Sequence, residues 1–211
     1  KKLLESAKKP VIITNRRKSD NGKFEGNEKE RLAALKQAID LGADYIDIEI
    51  DANHQEIINN KKDSEIIVSY HNFKETPKDI DEIFNKLKST NAGIVKIATT
   101  ANKLSDNLKI IELIKNSEKP IIGLCMGPLG EISRILAPLY GSLLTFASLE
   151  KGKESAEGQI TAEELRKISK LLKNIIIKIE SFEKITNNTK KGDFIYFDPP
   201  YYPLKKGKSF T

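Results

Sequence analysis

Several residues scattered along the chain could together do carbonyl chemistry, and the run Ile94-Val95-Lys96-Ile97-Ala98 holds the central one. A lysine inside an apolar, β-branched run is costly, because a buried ammonium must be paired or give up its charge. Burial favours the neutral amine, which can attack a carbonyl to form an imine. The structural alternative is an edge-strand lysine whose head reaches water. His71 ends the run Ser69-Tyr70-His71 one unit earlier. Histidine moves protons near neutral pH and could serve the carbon next to an imine; a hydrogen-bonded structural histidine is the alternative. Arg134, in Ile132-Ser133-Arg134-Ile135, could grip a carboxylate by two parallel hydrogen bonds or form a salt bridge on the helix it opens. Arg16 closes the first apolar run in the same way, and Arg17 is expected to point oppositely because strand side chains alternate. Asp47 and Glu49, two apart on one strand face, could orient the histidine, balance the lysine, or form a buried charge network. His54 follows a strand in a polar loop and reads as solvated.

The elements that must position these residues repeat along the chain. Short apolar runs occur at Val11–Thr14, Tyr45–Ile50, Ile66–Tyr70, Ile94–Ala98, Ile121–Cys125 and Leu143–Phe146, each read as a strand. Helix-like stretches lie between or after them at Glu28–Asp40, Pro77–Lys88, Asp106–Asn116 and Thr161–Lys173. Strand runs that are apolar throughout suit a parallel sheet covered on both faces. The choice is a doubly wound sheet or a (β/α)₈ barrel. No G-x-G-x-x-G turn follows the first strand, and the polar residues cluster where strands end, which favours the barrel. A barrel needs eight strands. Two more runs, Ile175–Ile179 and Phe194–Phe197, are candidates to complete it, and Lys205–Thr211 is expected to fray.

Composition narrows the class. With 38% apolar and 31% charged residues, the 211-residue chain reads as a globular protein with a sizeable core. The formal charge of +6 invites nucleic acid or a small anionic substrate. The lysines alternate with glutamates along helix-like stretches, so a solvated surface is the preferred reading and nucleic acid is disfavoured as a partner. A single cysteine, Cys125, excludes a disulfide framework and suits a reducing compartment. No run reaches the ~20 apolar residues of a membrane span, so the cytoplasm is expected and no membrane partner is. The chain opens on Lys1 with Met126 as its one methionine, so preceding residues are expected.

Thr14-Asn15-Arg16, Asp44–Asp51, Val68-Ser69-Tyr70-His71-Asn72-Phe73, Val95-Lys96-Ile97-Ala98, Ser133-Arg134, Gly141–Phe146 and Ser155–Ile160 stand in a characteristic order. From about Pro10 to Lys173 the chain resembles the type I 3-dehydroquinate dehydratases. The resemblance implies a (β/α)₈ barrel, 3-dehydroquinate as a small-molecule substrate, 3-dehydroshikimate as product, and no metal or organic cofactor. It implies that Lys96 forms the imine with the C3 ketone, while His71 removes a C2 proton and returns it to the departing C1 hydroxyl. Arg134 would hold the substrate carboxylate. Ser155 and Gln159 would close over it from a loop. Arg16 matches the arginine at the end of the family's third strand, and the acidic residue after it maps to Asp20 or Glu25. A homodimer is compatible with this reading. The family has two strands before Pro10, the second with a substrate-binding Glu-x-Arg pair, and Lys1–Lys9 carries neither.

A second resemblance begins near Asn174. Gly192-Asp193-Phe194-Ile195-Tyr196-Phe197-Asp198-Pro199-Pro200-Tyr201 is similar to the Asp-Pro-Pro-Tyr region of adenine-N6 DNA methyltransferases, which act on a flipped adenine. That family's S-adenosylmethionine loop has no counterpart in the sequence. The expected organisation is a dehydratase-like barrel over 1–173 and a methyltransferase-like fragment over 174–211, the latter packed as the missing barrel strands or loosely attached. The alternatives to an active lyase are an inactive chimera that keeps the site residues and a DNA-binding methyltransferase remnant.

Overall fold

A computed structural model describes residues 2–172 and 190–192. The chain divides into two compact units, Lys1–Lys173 and Asn174–Thr211, and the sheet lies in the first. Five strands, β1 (Ile12–Thr14), β2 (Tyr45–Glu49), β3 (Glu65–Asn72), β4 (Ile94–Thr100) and β5 (Ile121–Met126), pair in the order β1-β2-β3-β4-β5, all parallel. Each strand therefore lies beside its neighbour in sequence. That is the order of a barrel and not of a doubly wound sheet, whose strand order reverses at a switch point.

Helices fill the connections. Before β1 comes α1 (Lys2–Ser6); α2 (Glu28–Asp40), α3 (His54–Asn59), α4 (Ile80–Lys88) and α5 (Leu104–Lys115) follow successive strands. After β5 come α6 (Glu131–Leu136) and α7 (Ala162–Leu172). The start of α2 is fixed by a capping box, in which Asn27 Oδ1 accepts from the Glu30 amide and Glu30 Oε2 accepts from the Asn27 amide. Its buried residues, Arg31, Leu32, Leu35, Ala38 and Ile39, recur at helical spacing and face the sheet. One member of that stripe, Arg31, is charged.

The helix-facing side of the sheet is apolar. Ile46, Ile48, Ile66, Val68, Val95, Ile97 and Ile121 pack with Leu35, Ile39, Phe84, Leu87, Ile110 and Ile114 into the main core. Full burial of each such side chain contributes about 1.5–3 kcal/mol, so this layer carries the fold. Among the described residues no helix is long and apolar enough to cross a membrane.

One expected strand is absent. Leu143–Phe146 runs beside β5 with the Leu143 amide on the Ile121 carbonyl at 2.8 Å, but it forms no regular ladder. The reason is a side chain: Ser142 Oγ takes the Gly123 amide at 3.2 Å and donates to the Leu144 carbonyl at 2.9 Å. A hydroxyl thus takes the place of the second main-chain bond, and extended pairing resumes only as a bridge between Ser148 and Thr161. The runs Ile175–Ile179 and Phe194–Phe197, the tail Lys205–Thr211 and the motif Asp198–Tyr201 lie outside the described residues.

Candidate active site

Strand alternation sends every second residue to the opposite, interior face of the sheet. Register aligns Asp47 with Ile67 and Glu49 with Ser69; Ser69 pairs with Lys96, and His71 with Ala98. The interior face therefore has layers. At its base Ile67, Ile94 and Ile122 pack with Ile12, Tyr45, Leu144 and Phe146. Higher, toward the carboxyl ends of the strands, it turns polar, with Asp47, Glu49, Ser69 and Lys96 all buried.

Lys96 is 7% exposed and gives its ammonium to Asp47 Oδ2 at 2.8 Å, 4.5 Å from the centre of the Phe146 ring. Of the two routes open to a buried lysine, it takes pairing, and it does not reach for bulk water from a sheet edge. Burial alone would push the Asp47 carboxyl up, yet the charges of Lys96 and Arg16 hold it far below the usual carboxylate range. Arg16 binds Asp47 Oδ1 at 2.7 Å, Glu49 Oε1 at 2.9 Å and Ser69 Oγ at 3.1 Å. Ser69 Oγ also donates to Asp47 Oδ1 at 2.6 Å. Asp47 and Glu49 thus form a buried charge network in which Asp47 is the direct partner of the lysine.

His71 stands on the interior face of β3, stacked on Phe73 with centroids 5.9 Å apart, and its buried Nδ1 has no hydrogen-bond partner among the described residues. Burial, then the positive charges of Lys96 and Arg16, push its pKa down to about 2, so the imidazole is neutral at pH 7.

Arg134 sits on α6 and is 1% exposed. It makes no ion pair among the described residues. Nη2 donates to the Glu157 carbonyl at 3.2 Å and Nη1 to the Phe146 carbonyl at 3.5 Å, while the buried Nε has no partner among the described residues. A buried guanidinium without a carboxylate is set up to receive one, and burial lowers its pKa. The same Glu157 carbonyl accepts from the Gly127 amide, and a Cβ on Gly158 would stand 2.3 Å from the Gly127 carbonyl oxygen. The loop that carries Ser155 and Gln159 is therefore rooted beside Arg134. Ser155 is exposed and Gln159 half-buried, and they bond to each other, the Gln159 amide to Ser155 Oγ at 3.0 Å.

The remaining expected residues are placed differently. Asp20 accepts from Arg17 Nε at 2.8 Å, Arg17 also reaches Asp51 at 2.5 Å, and Glu25 pairs with Lys18. Neither acid bonds to Arg16 or His71, and Arg17 does point away from Arg16. His54 opens α3 with Nδ1 3.1 Å from the Ala52 carbonyl.

Sequence reasoning missed Arg31, Ser69 and Phe146. Arg31 lay at a buried helical position, four before Leu35, and that spacing was the available signal. Ser69 lay two residues from His71 and so on the same face. Phe146 had no local signal, because its approach to Lys96 depends on the path of an irregular segment.

The comparisons with known proteins agree with this architecture. The type I 3-dehydroquinase family model matches residues 1–176, and the chain belongs to that family. It is 40% identical over 173 residues to a 3-dehydroquinate dehydratase of Methanocaldococcus jannaschii, covering 79% of this chain and 78% of that protein. It is also 40% identical over 171 residues to the chloroplastic bifunctional 3-dehydroquinate dehydratase/shikimate dehydrogenase of Arabidopsis thaliana. The match takes in 78% of this chain but spans 28% of that longer protein. The type I 3-dehydroquinate dehydratase of Clostridium difficile, solved with covalently modified comenic acid, superposes with a TM-score of 0.71 at 30% identity. That superposition covers 79% of this chain and 70% of the other. A second family model, the D12 class N6 adenine-specific DNA methyltransferases, matches residues 149–211.

Proposed function

We propose that this chain dehydrates 3-dehydroquinate to 3-dehydroshikimate through an imine on Lys96. The observation that carries the reading is a buried lysine on β4 next to a neutral, unpaired histidine on the same face of β3. Asp47 orients the amine, and Phe146 walls it from water. Lys96 first passes its ammonium proton to His71, and the free Nζ adds to the C3 carbonyl. His71 returns that proton to the carbinolamine hydroxyl, which leaves as water as the imine forms. His71 takes a C2 proton, the electrons pass into an enamine, and the C1 hydroxyl departs as water with that proton returned. A second water hydrolyses the product imine and frees Lys96, so the net change is loss of one water. Arg134, which has no carboxylate partner among the described residues, holds the substrate carboxylate, and Ser155 and Gln159 close over it. Arg16 and Glu49 support the site through Asp47. Asp20 acts at most through Arg17, in a chain that works in the cytoplasm on a small molecule. A homodimer fits the family reading, and sedimentation in solution tests it.

That the Clostridium difficile relative was solved with covalently modified comenic acid is in keeping with a covalent route. A second reading rests on the match of residues 149–211 to the adenine methyltransferases: DNA binding through Asp198–Tyr201. Turnover of 3-dehydroquinate, followed by the conjugated enone of the product, separates the two. Saturable turnover lost in Lys96→Ala supports the lyase. Absence of turnover, with a gel shift on adenine-containing DNA that weakens as salt rises, supports the second reading.

A further inference from the structure

An ion-pair relay connects the surface of α2 to Lys96. Arg31 is fully buried and holds Glu28 at 2.7 and 2.8 Å, Glu49 Oε2 at 2.7 Å and the Asn15 carbonyl at 2.9 Å. Glu49 in turn holds Arg16, Arg16 holds Asp47, and Asp47 holds Lys96. We propose that Arg31 is a positioning residue of the imine site, setting through Glu49 and Arg16 how strongly Asp47 retains the Lys96 ammonium. The inference rests on Lys96 being the reacting amine.

Arg16 and Arg31 share a partner in Glu49. The inner layer holds two carboxylates, Asp47 and Glu49, and Arg16 spans both. Arg31 occupies the second oxygen of Glu49 and fixes the backbone immediately before Arg16. Without its charge, Glu49 has Arg16 as its one remaining cation among the described residues and draws it from Asp47. Asp47 then turns its uncompensated charge on Lys96, and the reactive amine becomes harder to free. Loss of a positive charge nearby acts in the same direction. The groups facing Lys96 are Asp47 from β2, Ser69 and His71 from β3, Arg16 beyond β1 and Phe146 after β5. His71 is neutral at pH 7, so the Arg16–Asp47 balance is the adjustable part. Burial works against the Arg31 charge, but Glu28 and Glu49 outweigh it and raise its pKa, so the cation is permanent.

The test reads Lys96 with and without turnover. Reductive methylation by formaldehyde and cyanoborohydride, mapped by peptide mass, gives Lys96 reactivity against pH with no substrate present. Single-turnover imine formation with 3-dehydroquinate gives the same profile in the reaction. In Arg31→Met the acid limb of both profiles moves up by about one pH unit, roughly tenfold slower at pH 7 and recovering at higher pH. Arg31→Lys restores most of the shift because it returns the charge. Arg31→Gln, which keeps a donor for Glu49 and is less disruptive to folding, reproduces the Arg31→Met shift. Unshifted profiles in folded Arg31→Gln, or an Arg31→Lys profile no closer to wild type than Arg31→Met, overturn the inference. Wild-type protein that methylates at Lys96 but neither binds nor turns over 3-dehydroquinate overturns the lyase reading instead, and the methylation profiles still decide the role of Arg31.

Discussion

The two faces of the five-stranded sheet are built from the same short stretches of chain, yet they obey different rules. On the helix side, residues such as Ile46, Ile48, Val95 and Ile97 are interchangeable hydrocarbon whose value is area removed from water. On the interior side, one residue away in each strand, Asp47, Ser69, His71 and Lys96 depend on each other's identity, because a buried charge is tolerable only with its partner in place. Tolerance therefore differs with a period of two. Truncation on one face should cost stability in proportion to volume, and on the other it should cost chemistry first.

The largest break in that contrast is Lys96→Ala. Turnover should fall by ~10⁴-fold or more, since the covalent route is removed and not merely slowed, as steady-state assays at high enzyme concentration would register. His71→Ala should follow with a loss of about 10²–10⁴-fold, the usual worth of a positioned acid–base group. Its imine should still form, so borohydride should still label Lys96. Ile48→Ala sits between the two carboxylates in sequence but faces the helices. It should cost about 2–5 kcal/mol in denaturant unfolding and leave kcat of the folded fraction within about twofold of wild type.

The smallest effect is a pH dependence of stability that belongs to the interior face alone. His71 has a native pKa depressed to about 2, against about 6.5 for an unfolded histidine. As pH falls below ~6.5 the unfolded chain takes up a proton that the native state refuses, so stability drops by up to about 1.4 kcal/mol per pH unit. Asp47, depressed by Lys96 and Arg16, adds a second loss below about pH 4. Unfolding midpoints at pH 7, 6 and 5 measure the first component. His71→Gln should flatten it, and Ile48→Ala should lower the midpoints without changing their slope.

Much of this was legible before the structure. Five of the strands follow from apolar runs and the span of α2 from apolar residues at helical spacing, signals that are local. Lys96 and His71 stood out because polar residues inside such runs need a reason, and alternation put Asp47 and Glu49 on one face. What stayed hidden was non-local. Leu143–Phe146 has the composition of a strand, but Ser142 takes the Gly123 amide that a ladder requires. The spacing of Arg31 from Leu35 points to the buried face of α2, but its partner Glu49 comes from the packing of α2 on the sheet. Asp20 and Glu25 lie near Arg16 in sequence, and the turn between them hands them to Arg17 and Lys18.

The most direct test of the interior face as an imine site is borohydride trapping with 3-dehydroquinate, followed by peptide mass mapping. The account predicts one reduced substrate adduct, on Lys96, absent from Lys96→Ala and retained in Ile48→Ala. Folded protein that turns the substrate over yet yields no adduct on Lys96, or an adduct on another lysine, would contradict it.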